Sequence, residues 1–334
     1  MKIRDVAKAA GVSIATVSRV INHPEMVTPE TREHVQAVIN GSNYSPVGTA
    51  KQKRRDSRSK AIAFIVSGPQ KLGNILLGIR SVCEKKTYVT SIYMADQEKS
   101  QMAFLENITE KQADGLIIDY DWLTSAGLEW LKTSGVPFVC VGGTGADPDV
   151  NCCYINYFDT AGQMAEKLAD KAEDEALLLL NEPLDACGEQ MIAGFKAKWR
   201  GRVQIEFTHN IPEESYLLMR DILDERECPA AILTQTDEMA VGVLKAVGNS
   251  GLTVAEQVRV AGFDNASYSA FLTPELTTVE QPTYRLGLLA ARILFDLMED
   301  EEMFEVEPQQ IMLKGRLKIR QTCGNRKAIY QEYE

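Results

Sequence analysis

The stretch that decides the reading is IRDVAKAAGVSIATVSRVIN, residues 3–22, followed by VTPETREHVQAVI, residues 27–39. Ile3, Val6, Ala7 and Ala10 fall at i, i+3, i+4 and i+7, the apolar stripe of a short helix. Gly11 follows, where a helix end favours a left-handed residue. Ser13 supplies the N-cap of a second helix. In that helix Val17, Val20 and Ile21 face inward, while Ile14, Ala15, Thr16 and Arg19 lie nearer solvent. Asn22-His23-Pro24 ends it. Thr28-Pro29 is a cap with proline at the first helical position, and Val35, Val38 and Ile39 give a third stripe. Two short helices joined by a glycine-containing turn and closed by a third make a helix-turn-helix. Its second helix suits the major groove. Ile14 and Ala15 can touch a thymine methyl, and Arg19 can donate in bidentate fashion to guanine. Ser13, Thr16 and Ser18 have the size and chemistry of phosphate contacts. Periodicity and caps alone also describe a plain three-helix cap on a larger protein.

Charge separates these possibilities. The 334-residue chain has net charge −11, but residues 1–60 carry eleven Lys/Arg against five Asp/Glu, or +6, leaving −17 for the rest. A basic head on an acidic body points the head, not the body, at a polyanion. Residues 47–60, VGTAKQKRRDSRSK, hold six basic residues and one large hydrophobe, the composition of a linker.

From residue 61 the pattern changes to alternating strands and helices. Strands are expected at 61–66, 89–94, 114–119, 136–141, 175–180, 203–207, 230–235 and 258–263, and helices at 72–86, 98–111, 123–133, 187–198, 213–226, 237–249 and 283–300. A strand pair near 308–320 closes the chain. Such alternation means parallel, doubly wound sheets, and the two series mean two similar α/β lobes. The expected division is a head at 1–46, a hinge at 47–60 and a core at 61–334. In that core one lobe takes 61–156 with 283–316, and the other 157–282 with 317–334. Ligands of open α/β sheets bind at the carboxyl ends of strands, here the cleft between the lobes. Residues just after strands include Ser67, Asp96, Asp119, Tyr120, Glu182, Asp185, Thr236, Asp237 and Asp264, with Asp237 expected as a helix cap rather than a ligand contact. A rim of carboxylates and hydroxyls suits a neutral polyhydroxylated ligand, with a nucleoside or an amine-bearing ligand as runner-up.

Residues 3–46, which include NYSP at 43–46, resemble the DNA-binding head of the lactose/galactose repressor family. TQTDEMAVGVLKAVGNSGL, VRVAGFDN and LTPELTTVEQPTYRLGLLAARIL, beginning at residues 234, 258 and 272, resemble that family's effector-binding core, which is similar in fold to the periplasmic sugar-binding proteins. The resemblance implies an allosteric repressor, a homodimer on a palindromic double-stranded operator. It implies base reading by Ile14, Ala15 and Arg19. Asn156, Thr236, Asp264 and Gln281 correspond to polar residues lining the effector cleft, joined by Ser67, Tyr120 and Asp185 as candidate contacts. It also implies a hinge helix with an apolar wedge in the minor groove. Here the wedge position falls on Lys53, so weaker bending and a larger phosphate contribution are expected. Met191 stands where many members carry an arginine that grips a sugar hydroxyl or an anion, and Asp185 disfavours a purine ligand. A sugar or sugar derivative is the expected effector.

Other classes fit poorly. No apolar run approaches the roughly 18 residues of a membrane span, and MKIRDVAKAAG lacks a signal peptide's apolar stretch, so a cytoplasmic protein is expected. Seven scattered cysteines without C-x-x-C, and three histidines, suggest free thiols and no metal or cofactor. No P-loop or nucleophile elbow occurs, and Gly142-Gly143-Thr144-Gly145 reads as a turn. The remaining alternative is a sugar-binding or glycosidase-like module with a non-specific DNA-binding head. The short tail after Arg320 has no leucine heptads, so a dimer is expected rather than a coiled-coil tetramer.

Overall fold

The structure, a computed structural model, describes residues 3–13, 16–17, 19–20, 26–41, 59–68, 73–95, 101–111, 113–143, 145, 147–169, 174–299 and 307–324. Ile14, Ala15, Ser18, Lys53 and Asp96 lie outside the described residues.

The head has α1 at Ile3–Ala10, α2 helical at Thr16, Val17, Arg19 and Val20, and α3 at Pro29–Asn40. Gly11 turns the chain at φ +65°, and Ser13 Oγ accepts from Thr16 N at 3.1 Å to cap α2. Thr28 caps α3 by accepting from Thr31 N, with Pro29 in the first turn. Val6, Ala7, Ala10, Val17, Val20, Val35 and Ile39 make a closed apolar core.

The core begins with β1 (Ala61–Val66), α4 (Gly73–Lys85), β2 (Val89–Met94), α5 (Gln101–Lys111), β3 (Gly115–Asp119), α6 (Ser125–Ser134), β4 (Phe138–Val141) and β5 (Cys152–Asn156). Then follow α7 (Tyr157–Leu168), β6 (Ala176–Asn181), α8 (Ala186–Lys198), β7 (Val203–Thr208), α9 (Pro212–Glu225), β8 (Ala231–Thr234) and α10 (Asp237–Asn249). The chain continues with β9 (Arg259–Ala261), β10 (Thr278–Glu280), α11 (Thr283–Glu299), β11 (Gln310–Lys314) and β12 (Arg316–Lys318).

One sheet has the order β11-β5-β4-β3-β1-β2, the other β7-β6-β8-β9, and every pairing within both is parallel. The alternation of strand residues explains why both are buried on two faces. In the first sheet Ile62, Phe64 and Ile117 pack under α4 and α11, while Ala63, Ile65, Leu116 and Ile118 meet α5 and α6. In the second, Leu178 and Leu180 face α7 and α8, while Leu177 and Leu179 face α9 and α10.

Two details differ from the sequence expectation. The segments near 308–320 do not pair with each other: β11 extends the first sheet alongside β5, while β12 pairs antiparallel with β10. They are separate strands because the chain changes lobes at Gly315. The structure also adds β5, α7 and β10, which no apolar pattern had marked.

Helices α4 and α11 cross at backbone contact. A Cβ on Gly78 would lie 2.1 Å from the Tyr284 carbonyl oxygen, and one on Gly287 2.0 Å from that of Ile75. Gly287→Ala must therefore push the two helices apart. Such overpacking costs about 1–3 kcal/mol, to be seen as a lower urea midpoint with an unchanged m-value.

Candidate functional site

The topology puts the carboxyl ends of both sheets opposite each other. β5 and β11 leave the first sheet by their carboxyl ends and enter the second lobe, at Tyr157 and Gly315. In the second lobe Thr277 bridges Ala261 in parallel fashion, so β10 runs with β9 and its carboxyl end leads through Gln281 to α11 of the first lobe. The loops after the strands, where a ligand would bind, thus share one cleft.

In the first lobe Ser67 follows β1, and its backbone N–H and hydroxyl both donate to Oδ2 of buried Asp119. Asp119 Oδ1 accepts from Asp121 N at 3.3 Å, capping the short turn of 3₁₀ helix that carries Tyr120. Tyr120 packs against Gly143, and burial pushes its phenol up, followed by the charge of Asp147.

In the second lobe three expected site residues are helix caps. Asn156 caps α7, its Oδ1 accepting from Asp159 N at 2.8 Å. Asp185 caps α8, accepting from Gly188 N at 2.7 Å and from Gln235 Nε2 at 2.9 Å. Thr236 caps α10 and donates to Asn210 Oδ1 at 2.5 Å. Caps sit where parallel strands hand over to helices, so polar residues at these positions border the cleft for backbone reasons as well.

Asp264 and Gln281 meet directly: Gln281 Nε2 donates to Asp264 Oδ1 at 2.8 Å. Tyr157 OH donates to Gln281 Oε1 at 2.7 Å, which makes a chain of three across a lobe crossover. Asp264 holds φ +116°, a conformation rare outside glycine and frequent at functional positions. It is open to solvent on one side yet crowded by protein on the others. That burial, then the charges of Asp237 and Glu238, push its carboxyl well above the ordinary range.

Tyr157, Gln235 and Asn210 were not marked by the sequence. Tyr157 opens a helix, with the apolar stripe Ala161, Met164, Ala165 and Leu168, that is not among those expected from the pattern, and Gln235 and Asn210 sit in loops of ordinary composition. Asp237 departs from expectation. It does not cap α10, which is the role of Thr236. Instead it is buried, accepting from Thr278 Oγ1 at 2.5 Å and Ala266 N at 2.8 Å. Met191 is fully buried in the apolar core of the second lobe.

In the head, Arg19 is exposed on the side of α2 away from buried Val17 and Val20, and Thr16 is half-buried. Ser13 already carries the cap. Among the described residues no group of three metal-ligating side chains occurs, and no helix is long and apolar enough to cross a membrane. All seven cysteines are free thiols, and burial pushes Cys152 and Cys153 up to about 12.

A head that presents a helix and a two-lobed core with a polar cleft is the architecture of a ligand-controlled DNA-binding regulator. Comparison with known proteins places it further. Residues 2–47 match the family model of bacterial regulatory proteins, lacI family, and residues 177–323 that of a periplasmic binding protein-like domain. The HTH-type transcriptional repressor PurR of Escherichia coli O1:K1 / APEC is 30% identical over 336 residues, covering 97% of each chain. Catabolite control protein A of Priestia megaterium is 29% identical over 335 residues, covering 96% of this chain and 98% of that one. The Lac repressor dimer bound to operator and the anti-inducer ONPF superposes with TM-score 0.70 at 24% identity, over 97% and 99% of the two chains. The transcriptional regulator CelR–cellobiose complex gives 0.69 at 23%, over 96% and 99%. The chain belongs to the lacI family and is a DNA-binding transcriptional regulator with an effector-binding core.

Burial, partly offset by the Thr278 and Ala266 hydrogen bonds and by Arg320, pushes Asp237 up to about 6. A raised carboxyl keeps its proton in the folded state where the unfolded chain has lost it. Its contribution to stability is complete below about pH 4 and is lost as pH rises to about 6, at most about 3 kcal/mol. Urea unfolding between pH 4 and 7 should show this decline, and Asp237→Asn should flatten it.

Proposed function

We propose that the chain is a homodimeric repressor that reads a palindromic operator and is controlled by a sugar or sugar derivative bound between the lobes. The observation that carries the proposal is the pairing of exposed Arg19 on the second head helix with the Tyr157–Gln281–Asp264 chain at a lobe crossover. The first can donate to a base edge, and the second can sense a ligand where the lobes move. Ile14, Ala15 and Arg19 are the proposed base-facing residues, Ser13, Thr16 and Ser18 the phosphate-facing ones, with Lys53 near the minor groove. Ser67, Tyr120, Asn156, Asp185, Thr236, Asp264 and Gln281 are the proposed effector contacts. The CelR–cellobiose neighbour supports a carbohydrate, and a nucleoside or an amine-bearing molecule is the competing ligand class.

The dimer reading is supported by edge strand β2, whose Val89, Ile92 and Met94 are exposed, as is Leu77 of α4. An unpaired apolar edge of this kind is suited to cover by a second copy. Two heads held by such a dimer must sit one DNA turn, about 34 Å, apart. An effector that favours one lobe arrangement by roughly 1–3 kcal/mol changes that spacing enough to alter affinity. This acts in a protein of the regulator class, with no reaction catalysed.

Fluorescence anisotropy on short palindromic duplexes with a central CG step, at two salt concentrations, tests the reading. Tight, sequence-selective binding with a steep salt slope is expected. Arg19→Ala should lower affinity for the preferred duplex by about 1–3 kcal/mol and relax its selectivity. Weak binding, equal on every duplex, would return the head to a non-specific role. Sedimentation should give the mass of two chains.

A further inference from the structure

We propose that Asp114 is a positioning residue that locks the end of the hinge onto the core, so that the head is placed by the same pair of strands whose other end borders the cleft. This role rests on the regulator reading above and names the joint through which the core acts on the head.

The expected hinge, residues 47–60, meets the core at Ser59 and Lys60. The Ser59 N–H and hydroxyl both donate to Asp114 Oδ1, at 3.1 and 3.2 Å, and the Lys60 N–H donates to Oδ2 at 3.1 Å. Both oxygens of one carboxylate are thus given to two consecutive residues. Lys60 turns the chain at φ +52°, in the left-handed region that lysine rarely adopts, and its carbonyl accepts from Val89 N at 2.7 Å. Asp114 is held in turn: its own N–H donates to Ala61 O at 2.8 Å, and β3 begins at the next residue. Ser59 and Lys60 are exposed and Asp114 is half-buried, so water could serve the same donors and the three bonds add little to stability. What they fix is the place and direction in which the chain leaves the core.

The strands behind this joint lead to the cleft. β1 and β3 lie side by side in parallel register, with Ile62 opposite Gly115 and Ile65 opposite Ile118. At their amino ends Asp114 holds Ser59 and Lys60. At their carboxyl ends Asp119 accepts from the N–H and the hydroxyl of Ser67. One pair of strands is therefore closed by a carboxylate at each end, with the hinge at one and the proposed effector contacts Ser67 and Tyr120 at the other. Every residue of both strands is buried, so the pair is a stiff link, roughly 16 Å long over β3 at about 3.3 Å per residue. A shift of this lobe at the cleft reaches Ser59 without slack. With Asp114 removed, the order of two hinge residues is no longer set by the core, and restoring it on DNA becomes part of the cost of binding.

The test combines anisotropy of the full chain on its preferred palindromic duplex with hydrogen exchange at the Ser59 and Lys60 amides. Asp114→Ala should weaken specific binding about tenfold at an unchanged salt slope, since no phosphate contact is lost. Charge alone predicts the opposite sign, because removing a carboxylate from a protein that binds a polyanion raises affinity. Exchange should quicken at these two amides and stay as it was along β1 and β3. Asp114→Asn keeps one acceptor oxygen and should fall between the wild type and Asp114→Ala. Ser59→Ala removes one donor of the three at an exposed position, so it remains informative if Asp114→Ala fails to fold, and it should give a smaller loss of the same kind. Affinity of the variants equal to or above that of the wild type would overturn the role. So would amides of Ser59 and Lys60 that exchange equally fast in wild type and variant, or faster exchange spread along both strands. Selective binding by the unaltered chain beside any of these results rejects the joint alone. An unaltered chain that binds every duplex equally rejects the regulator reading, and this role with it.

Discussion

Parallel strands cannot be joined by tight turns, and each must be followed by a crossover before the next can pair. This constraint organises the core. It collects every strand-to-helix junction at one edge of each sheet, and the two edges are brought face to face by the passages at Tyr157, Gln281 and Gly315. The polar residues of the cleft are there because helix starts need caps and strand ends need turns. The cleft is thus lined by side chains the backbone already requires. Asn156, Asp185 and Thr236 hold a helix start and border the cleft at the same time.

That double service shapes what substitution can do. Truncating a cap frees a backbone N–H at a helix start, so a substitution at any of these proposed effector contacts also lowers stability. Gln281 and Tyr157 differ. They cap nothing, and their hydrogen bonds run from a crossover to Asp264, which has the largest φ of the five described non-glycine residues with positive φ. Asp237 and Arg320 lie behind this layer, buried in a network that ties the loop after β9 to the chain's last described turn.

Much of the fold was legible. Long apolar runs such as Ala61–Val66 and Ala176–Asn181 are strands buried on two faces, and no amphipathic helix can imitate them at that length. The head was legible for a different reason: its stripes and caps are closely spaced and agree with one another. β5 was not, because Tyr154 and Ile155 are its only strong strand formers in a run of five residues. α7 buries Ala161, Met164, Ala165 and Leu168 at helical spacing, a stripe that follows directly on an unmarked strand with no loop between them to set it apart. The separate fates of β11 and β12 depend on which lobe each one meets, a long-range matter that local pattern does not carry. At the cleft, carboxylates after strands could be read from position alone. Gln235 and Asn210 could not, since their roles come from partners about 50 and 26 residues distant in sequence.

The three passages between the lobes have a mechanical meaning. Each is short, and each is anchored at both ends by a strand or a helix. Three tethers of nearly fixed length suppress sliding and separation, leaving bending and twisting as the soft degrees of freedom. The lobes then behave like two plates on a flexure, and a small closure at the cleft is converted into an angular displacement that grows with distance from the pivot.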